Sequence, residues 1–374
     1  MSYALPIPPR RTLDQYNKLA KDLRRAPETT IAEWSNRLPK GDAESIRHLW
    51  IEFKKPDEPC KLAHAQLFIA RTHGFSSWPK FANHLTALSW LNSPVANFEA
   101  AADAVVSGNA VSLKKLLGDQ PELAQARSTF AHRSTLLHYV SANGIEDFRQ
   151  KTPANIVKIT KLLLDAGADV NAESEAYGGH STALLLTATS VYPEQAGVQD
   201  RLLKILIDHG ATIDQGIVNA CLHNGRGQAA EFLANHGAPL EIEGAAGVGR
   251  LDLVKALHPA ATGEQVKDAF AWACQFGRTE VVDFLLRHGV AVDAKLKHNG
   301  QTGLHWAAYG GHKATVQLLL DRGAPTGVKD DTYDGSPLDW AKHGSTNDEV
   351  IALLNRAGAP AHELSPPPKR KAKR

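Results

Sequence analysis

Cysteine is scarce in this chain of 374 residues: Cys60, Cys221 and Cys274 are the only three, an odd number without metal-type or redox-type spacing. That excludes a disulfide framework, and three free thiols in a reducing compartment are expected. Long apolar runs are missing as well; no stretch approaches the roughly 20 residues a bilayer-spanning helix requires. Pro6, Pro8 and Pro9 break the segment Met1–Arg11 where a secretory signal would need an uninterrupted apolar core. The expectation is a cytoplasmic protein with no membrane partner. Charge of one sign is also lacking. The net charge is +2, but Lys369, Arg370, Lys371, Lys373 and Arg374 crowd the last ten residues, which takes the remainder down to −3. Such a body lacks the broad positive field that duplex binding requires, so a nucleic-acid partner is not expected.

Catalytic signatures are absent too. No His-Glu-x-x-His, Cys-x-x-Cys, Gly-x-Ser-x-Gly or phosphate-loop pattern occurs. Gly247-Val-Gly249 lacks the third glycine of a dinucleotide loop, so no cofactor is expected. Seventeen histidines include His298, His305 and His312 at seven-residue spacing, but the surrounding pattern gives them structural work rather than a metal. An enzyme is therefore not the expectation, and no catalytic or metal-binding residue is assigned.

What the chain does hold is a repeat. Gly311 to Gly323, Gly277 to Gly289 and Gly225 to Gly237 each span 12 residues, with Leu319 and Leu320, Leu285 and Leu286, and Leu233 and Ala234 at matching places inside. Thr302-Gly-Leu-His-Trp-Ala-Ala308 precedes the first of these intervals, and Thr135-Leu-Leu-His138 and Ser336-Pro-Leu-Asp339 are weaker copies. Glycine after a helix suits a left-handed cap, small alanines let helix pairs stack, and each unit leaves apolar positions that only a neighbour can bury.

This pattern resembles the ankyrin repeat, in which a Thr-Pro-Leu-His turn opens a first helix, Gly-His separates it from a second, and Leu-Leu precedes a Gly-Ala stop. The resemblance implies an all-α repeat solenoid of about eight helix-turn-helix units over residues 95–362, with short β-hairpins in some units. Residues 1–94 read as a helical leader or cap; Ala65-Gln-Leu-Phe-Ile-Ala-Arg-Thr-His-Gly-Phe-Ser-Ser-Trp-Pro-Lys-Phe81 is similar to a leader that precedes such arrays in bacterial proteins. Thr30-Ile-Ala-Glu33 has capping-box spacing there. Residues 363–374 read as a disordered basic tail.

Departures from the consensus carry their own expectations. The intervals from Gly210 to Gly237 and from Gly237 to Gly289 are short, so residues 212–290 should have blunt or absent fingers. Insertions at 145–153 and 191–197 separate first from second helices and should form one joint protrusion. Function is expected to be that of a protein-binding scaffold, a monomer with a protein partner of unspecified identity. In the ankyrin pattern the residues just before the interhelical glycine and in the finger face the concave groove. Here these are His223, Asn224, Gln275, Phe276, His298, Asn299, Gln301 and Tyr309, together with His132 and Tyr177, and Phe276 and Tyr309 should be close in space. The alternatives are a substrate platform whose catalytic site lies in the leader or the insertions, and a host-directed effector with a nuclear-type tail.

Overall fold

The computed structural model describes residues 4–8, 12–54, 58–90, 92–295, 300–344 and 347–358. The chain divides into two compact units between Thr212 and Ile213, so the division falls inside the expected repeat array and the leader shares a unit with the first repeats.

Five helices form the leader: α1 (Leu13–Arg25), α2 (Pro27–Ser35), α3 (Lys40–Phe53), α4 (Leu62–Thr72) and α5 (Trp78–Leu88). Tyr16, Ala20 and Leu23 recur at i, i+4 and i+7 on α1 and are buried together with Trp34, Ile46, Trp50, Phe68 and Phe81. Rings meet edge-on or stacked; Tyr16 and Phe81 are 4.9 Å apart, and His73 lies parallel to Phe81 at 5.1 Å. Phe130, from the loop that opens the second repeat, completes this core at 4.6 Å from Phe75. The leader core is thus closed by a repeat residue, which is why the leader and the early repeats form one unit. The capping box is made by Thr12 and Gln15 rather than at Thr30. Thr30 is buried inside α2, because Pro27, with its fixed φ and no N–H to lose, starts that helix three residues earlier.

The first unit continues through α6 (Pro94–Ser107), α7 (Ala110–Asp119), a 3₁₀ turn at Leu136–Ser141, α8 (Ile156–Asp165), α9 (Ala183–Thr189), α10 (Val191–Gln195) and α11 (Gln199–Asp208). One antiparallel finger, β1 (Glu173–Ser174) with β2 (Ser181–Thr182), is the only paired strand among the described residues. The second unit holds five helix pairs: α12 (Ile217–His223) with α13 (Gly227–Asn235), α14 (Ile242–Gly247) with α15 (Leu251–Leu257), α16 (Gly263–Gln275) with α17 (Thr279–Arg287), α18 (Gly303–Gly310) with α19 (Lys313–Asp321), and α20 (Pro337–His343) with α21 (Asp348–Arg356). With three pairs in the first unit this makes eight, an all-α repeat stack.

The repeat chemistry follows the residues. Thr302 and His305 form a capping box: the Thr302 N–H donates to His305 Nδ1 at 3.0 Å, and His305 Nε2 donates onward to the Gly335 carbonyl of the next repeat at 3.1 Å. Thr135 and His138 do the same in the first unit, with Ser181 O as the acceptor at 3.1 Å. Burial holds both imidazoles at about 4, below their ordinary range, so they are neutral and each ring fixes one repeat to the next. Gly311 (φ 71°) and Gly323 (φ 82°) end their helices in the left-handed region that only glycine adopts freely.

Two expectations about the departures meet different outcomes. Among the described residues no strand occurs between 212 and 290, consistent with missing fingers. The insertion 145–153, in contrast, does not protrude. Ile145, Glu146, Arg149 and Gln150 are buried, because Arg149 reaches back to carboxylates on α6 and draws the loop inward. The insertion 191–197 becomes α10, whose Pro193 is buried.

Candidate partner-binding face

The second unit carries a feature that single turn residues do not reveal. Trp272, Trp306 and Trp340 stand at equal intervals of 34 residues and at the same place on three successive first helices, α16, α18 and α20. Trp340 is the anchor. It is 5% exposed, and its Nε1 donates to Asp330 Oδ2 at 3.0 Å. Burial pushes the Asp330 carboxyl up, but this bond and the N–H groups of Tyr333, Thr332 and Gly335 outweigh it and hold the group below its usual range. Trp306 packs edge-on against Trp340 at 5.2 Å, and Tyr309 does so at 5.7 Å. Trp306 and Tyr309 are both half-buried.

One repeat earlier, Trp272 and Phe276 are half-buried, at and just beyond the end of α16, with ring centroids 6.1 Å apart. The exposed His223 of α12 meets Trp272 edge-on at 4.6 Å. Phe276 lies over the backbone of α13: a Cβ at Gly227 would fall 2.7 Å from two of its ring carbons. Its ring is therefore packed on an earlier repeat and is not a free groove residue, and Tyr309 finds its partner in Trp340 instead of Phe276.

The other expected groove residues scatter. Asn224 turns back on its own helix, Nδ2 to Ala220 O at 2.9 Å. Gln275 is half-buried, and its carbonyl accepts from His312 Nε2 at 2.8 Å. Gln301 is only 4% exposed, because it leads directly into the buried Thr302 cap. His298 and Asn299 lie outside the described residues. In the first unit Tyr177 is 47% exposed, with its hydroxyl donating to Asn143 Oδ1 at 2.5 Å. His132 is stacked on Phe130 at 5.8 Å and faces inward, its Nε2 3.6 Å from Glu146.

Acidic side chains border the aromatic stripe. Glu241 accepts from Gln215 Nε2 at 2.9 Å and Asn219 Nδ2 at 3.5 Å. Burial pushes the Glu243 carboxyl up, and the like charges of Glu241 and Asp268 add to that. Asp268 precedes Trp272 by one helical turn.

The first unit holds a different polar centre. Arg149 donates to Glu99 Oε2 at 2.5 Å, Glu146 Oε1 at 3.2 Å and Asp103 Oδ1 at 2.9 Å, and Tyr139 donates its hydroxyl to Glu146 at 3.0 Å. Burial, with the like charges of Glu146 and Asp103, outweighs Arg149 and pushes Glu99 up to about 7; its Oε1 has no hydrogen-bond partner. Burial also opposes the Glu146 charge, but the His132 and Arg149 contacts dominate and hold it at about 2. The Glu146 side chain is wholly buried and that of Asp103 is exposed at the rim, so the cluster fastens the insertion to α6.

In the leader, a cavity of about 600 Å³ is lined by residues that include Trp50, Phe53, Cys60, His64 and Arg71. Burial pushes the Cys60 thiol up, away from the thiolate that nucleophilic chemistry needs. Among the described residues, no group of three metal-type side chains could hold an ion, and no helix is long and apolar enough to cross a membrane.

Helix pairs joined through left-handed glycines and fastened by Thr–His caps define a stacked helical-repeat protein. Residues 242–330 and 271–359 match the family model described as ankyrin repeats (3 copies), so this part of the chain carries ankyrin repeats. The crystal structure of the human ASB11 ankyrin repeat domain aligns at 23% identity over 70% of this chain and 99% of that one, with a TM-score of 0.32. No curated protein matches the chain.

Proposed function

We propose that this protein is a non-catalytic binding scaffold and that a protein partner docks on the first helices of the last three repeats. Ankyrin repeats are in general protein-interaction modules, which supports the class. The observation that carries the particular surface is the set of half-buried rings Trp272 on α16 and Trp306 and Tyr309 on α18, the last two packed on the buried Trp340. Rings already immobilised by their neighbours lose little entropy on binding, which is why such aromatics dominate interface energetics at about 2 kcal/mol or more each. We take the protein to be a cytoplasmic monomer.

The test is cross-linking mass spectrometry on the full chain with its co-purified partner, beside a Trp272→Ala/Trp306→Ala double variant. Cross-links that cluster at 265–276 and 303–310, together with loss of the partner from a double variant that still melts cooperatively, support the proposal. Cross-links confined to the leader or to the second helices, with the partner retained by the variant, rule it out.

A further inference from the structure

Three carboxylates gather near Trp272: Asp268 stands one helical turn before it on α16, and Glu243 feels the charges of both Asp268 and Glu241. Several acids on the second helices are matched by cations: Glu231 with Arg278, Asp283 with Arg287 and Arg322, and Glu349 with Lys313. Glu241, Glu243 and Asp268 have no lysine or arginine at ion-pair distance among the described residues. Glu241 is held by neutral amides, and Glu243 meets the neutral amide of Gln265 while its Oε2 is buried without a hydrogen-bond partner. Three like charges gathered at the start of α14 and on α16 repel one another, and a cation brought between them relieves that repulsion.

From this we infer that the partner presents an extended, basic segment, with a lysine or arginine whose charge meets Asp268 and Glu243 while its stem or an adjacent apolar residue lies on Trp272. The inference rests on the proposed binding face and adds the chemistry of what it binds. Spacing supports it. Asp268 and Trp272 are four residues apart on one face of α16, about 6 Å along the axis, which a lysine or arginine stem spans. An indole attracts a cation over its face, and the nearby carboxylate fixes where that cation stops. A neutral or acidic segment would leave the three carboxylates repelling one another and add desolvation cost.

A phage-displayed library of random peptides about twelve residues long, the span of a linear recognition motif, is panned on the immobilised full chain. The enriched sequences are then made as fluorescein-labelled peptides and measured by anisotropy. The expected enrichment is for lysine or arginine beside an apolar residue. Glu243→Gln with Asp268→Asn should weaken binding about tenfold or more, with a melting temperature at or above that of the parent because a repulsion is removed. Trp272→Ala should weaken it at least as much, and Trp272→Phe, which keeps a packed ring, should weaken it less. Enriched peptides that are neutral or acidic, or an amide pair that leaves affinity unchanged while Trp272→Ala abolishes it, overturn the basic-partner inference and leave the binding face standing. Absence of enrichment, or binding indifferent to all of these variants, overturns both.

Discussion

The second repeat, at residues 128–165, and the seventh, at 300–323, begin alike and end differently. Both open with a Thr–His cap whose imidazole reaches the next repeat at 3.1 Å. After that point the seventh repeat builds a regular first helix, α18, and places Trp306 and Tyr309 along it. The second makes only a 3₁₀ turn at Leu136–Ser141, then Ala142 at a φ of 49° and a loop that buries Arg149. The cap is thus a local device that survives different surroundings, and the course of the chain beyond it depends on where the next polar group finds a partner. In the second repeat, carboxylates on α6 attract Arg149 and charge goes inside. In the seventh no such group is present, and rings are left along one face.

The two repeats should part most widely under Arg149→Ala. That change leaves Glu146 and Glu99 buried without their counter-ion, and the loss should be about 3–5 kcal/mol, measured by chemical denaturation with hydrogen exchange to locate it in the first unit. In the second unit Asp330→Ala should cost less, about 1–3 kcal/mol, because the N–H groups it releases lie in a turn that water can reach in part. If the two variants are equally damaging, the distinction between a buried ionic centre and a capped turn is lost. Smaller again is Thr302→Ala, about 0.5–2 kcal/mol, and Thr135→Ala should match it if the two caps are equivalent.

Acid and base separate the regions further. His138 and His305 are held neutral at about 4, below the ordinary 6.5, so both repeats lose stability as pH falls from 6.5 towards 4 and the unfolded chain binds the protons. Glu99 is raised from 4.5 to about 7, so its contribution is complete below 4.5 and is lost as pH rises through about 7. The first unit should therefore soften as pH rises through about 7. Amide exchange measured across this range should show it, and Glu99→Gln should flatten the effect.

The repeat is legible in the sequence because its signals are local: a glycine that must be left-handed, a Thr–His pair that closes on itself, and a fixed 12-residue interval. Fates decided by distant partners are not. Nothing near residues 145–150 announces that Arg149 will find Glu99 and Asp103, and an arginine in a long insertion reads as a solvated loop. The pattern places Phe276 correctly before its glycine, yet the packing of its ring on Gly227 depends on the short α14–α15 repeat lying between them. The tryptophan stripe is within reach of the sequence, since Trp272, Trp306 and Trp340 share one interval of 34 residues, but the turn residues alone do not point to it. The basic tail falls outside the described residues.

Whether the first helices α16 and α18 form the binding face is decided by hydrogen–deuterium exchange of the full chain with and without a saturating selected peptide. Exchange should slow at residues 265–277 and 303–311, with α17, α19 and the leader unchanged. Protection confined to the leader or to the second helices, with none on α16 or α18, would contradict that assignment.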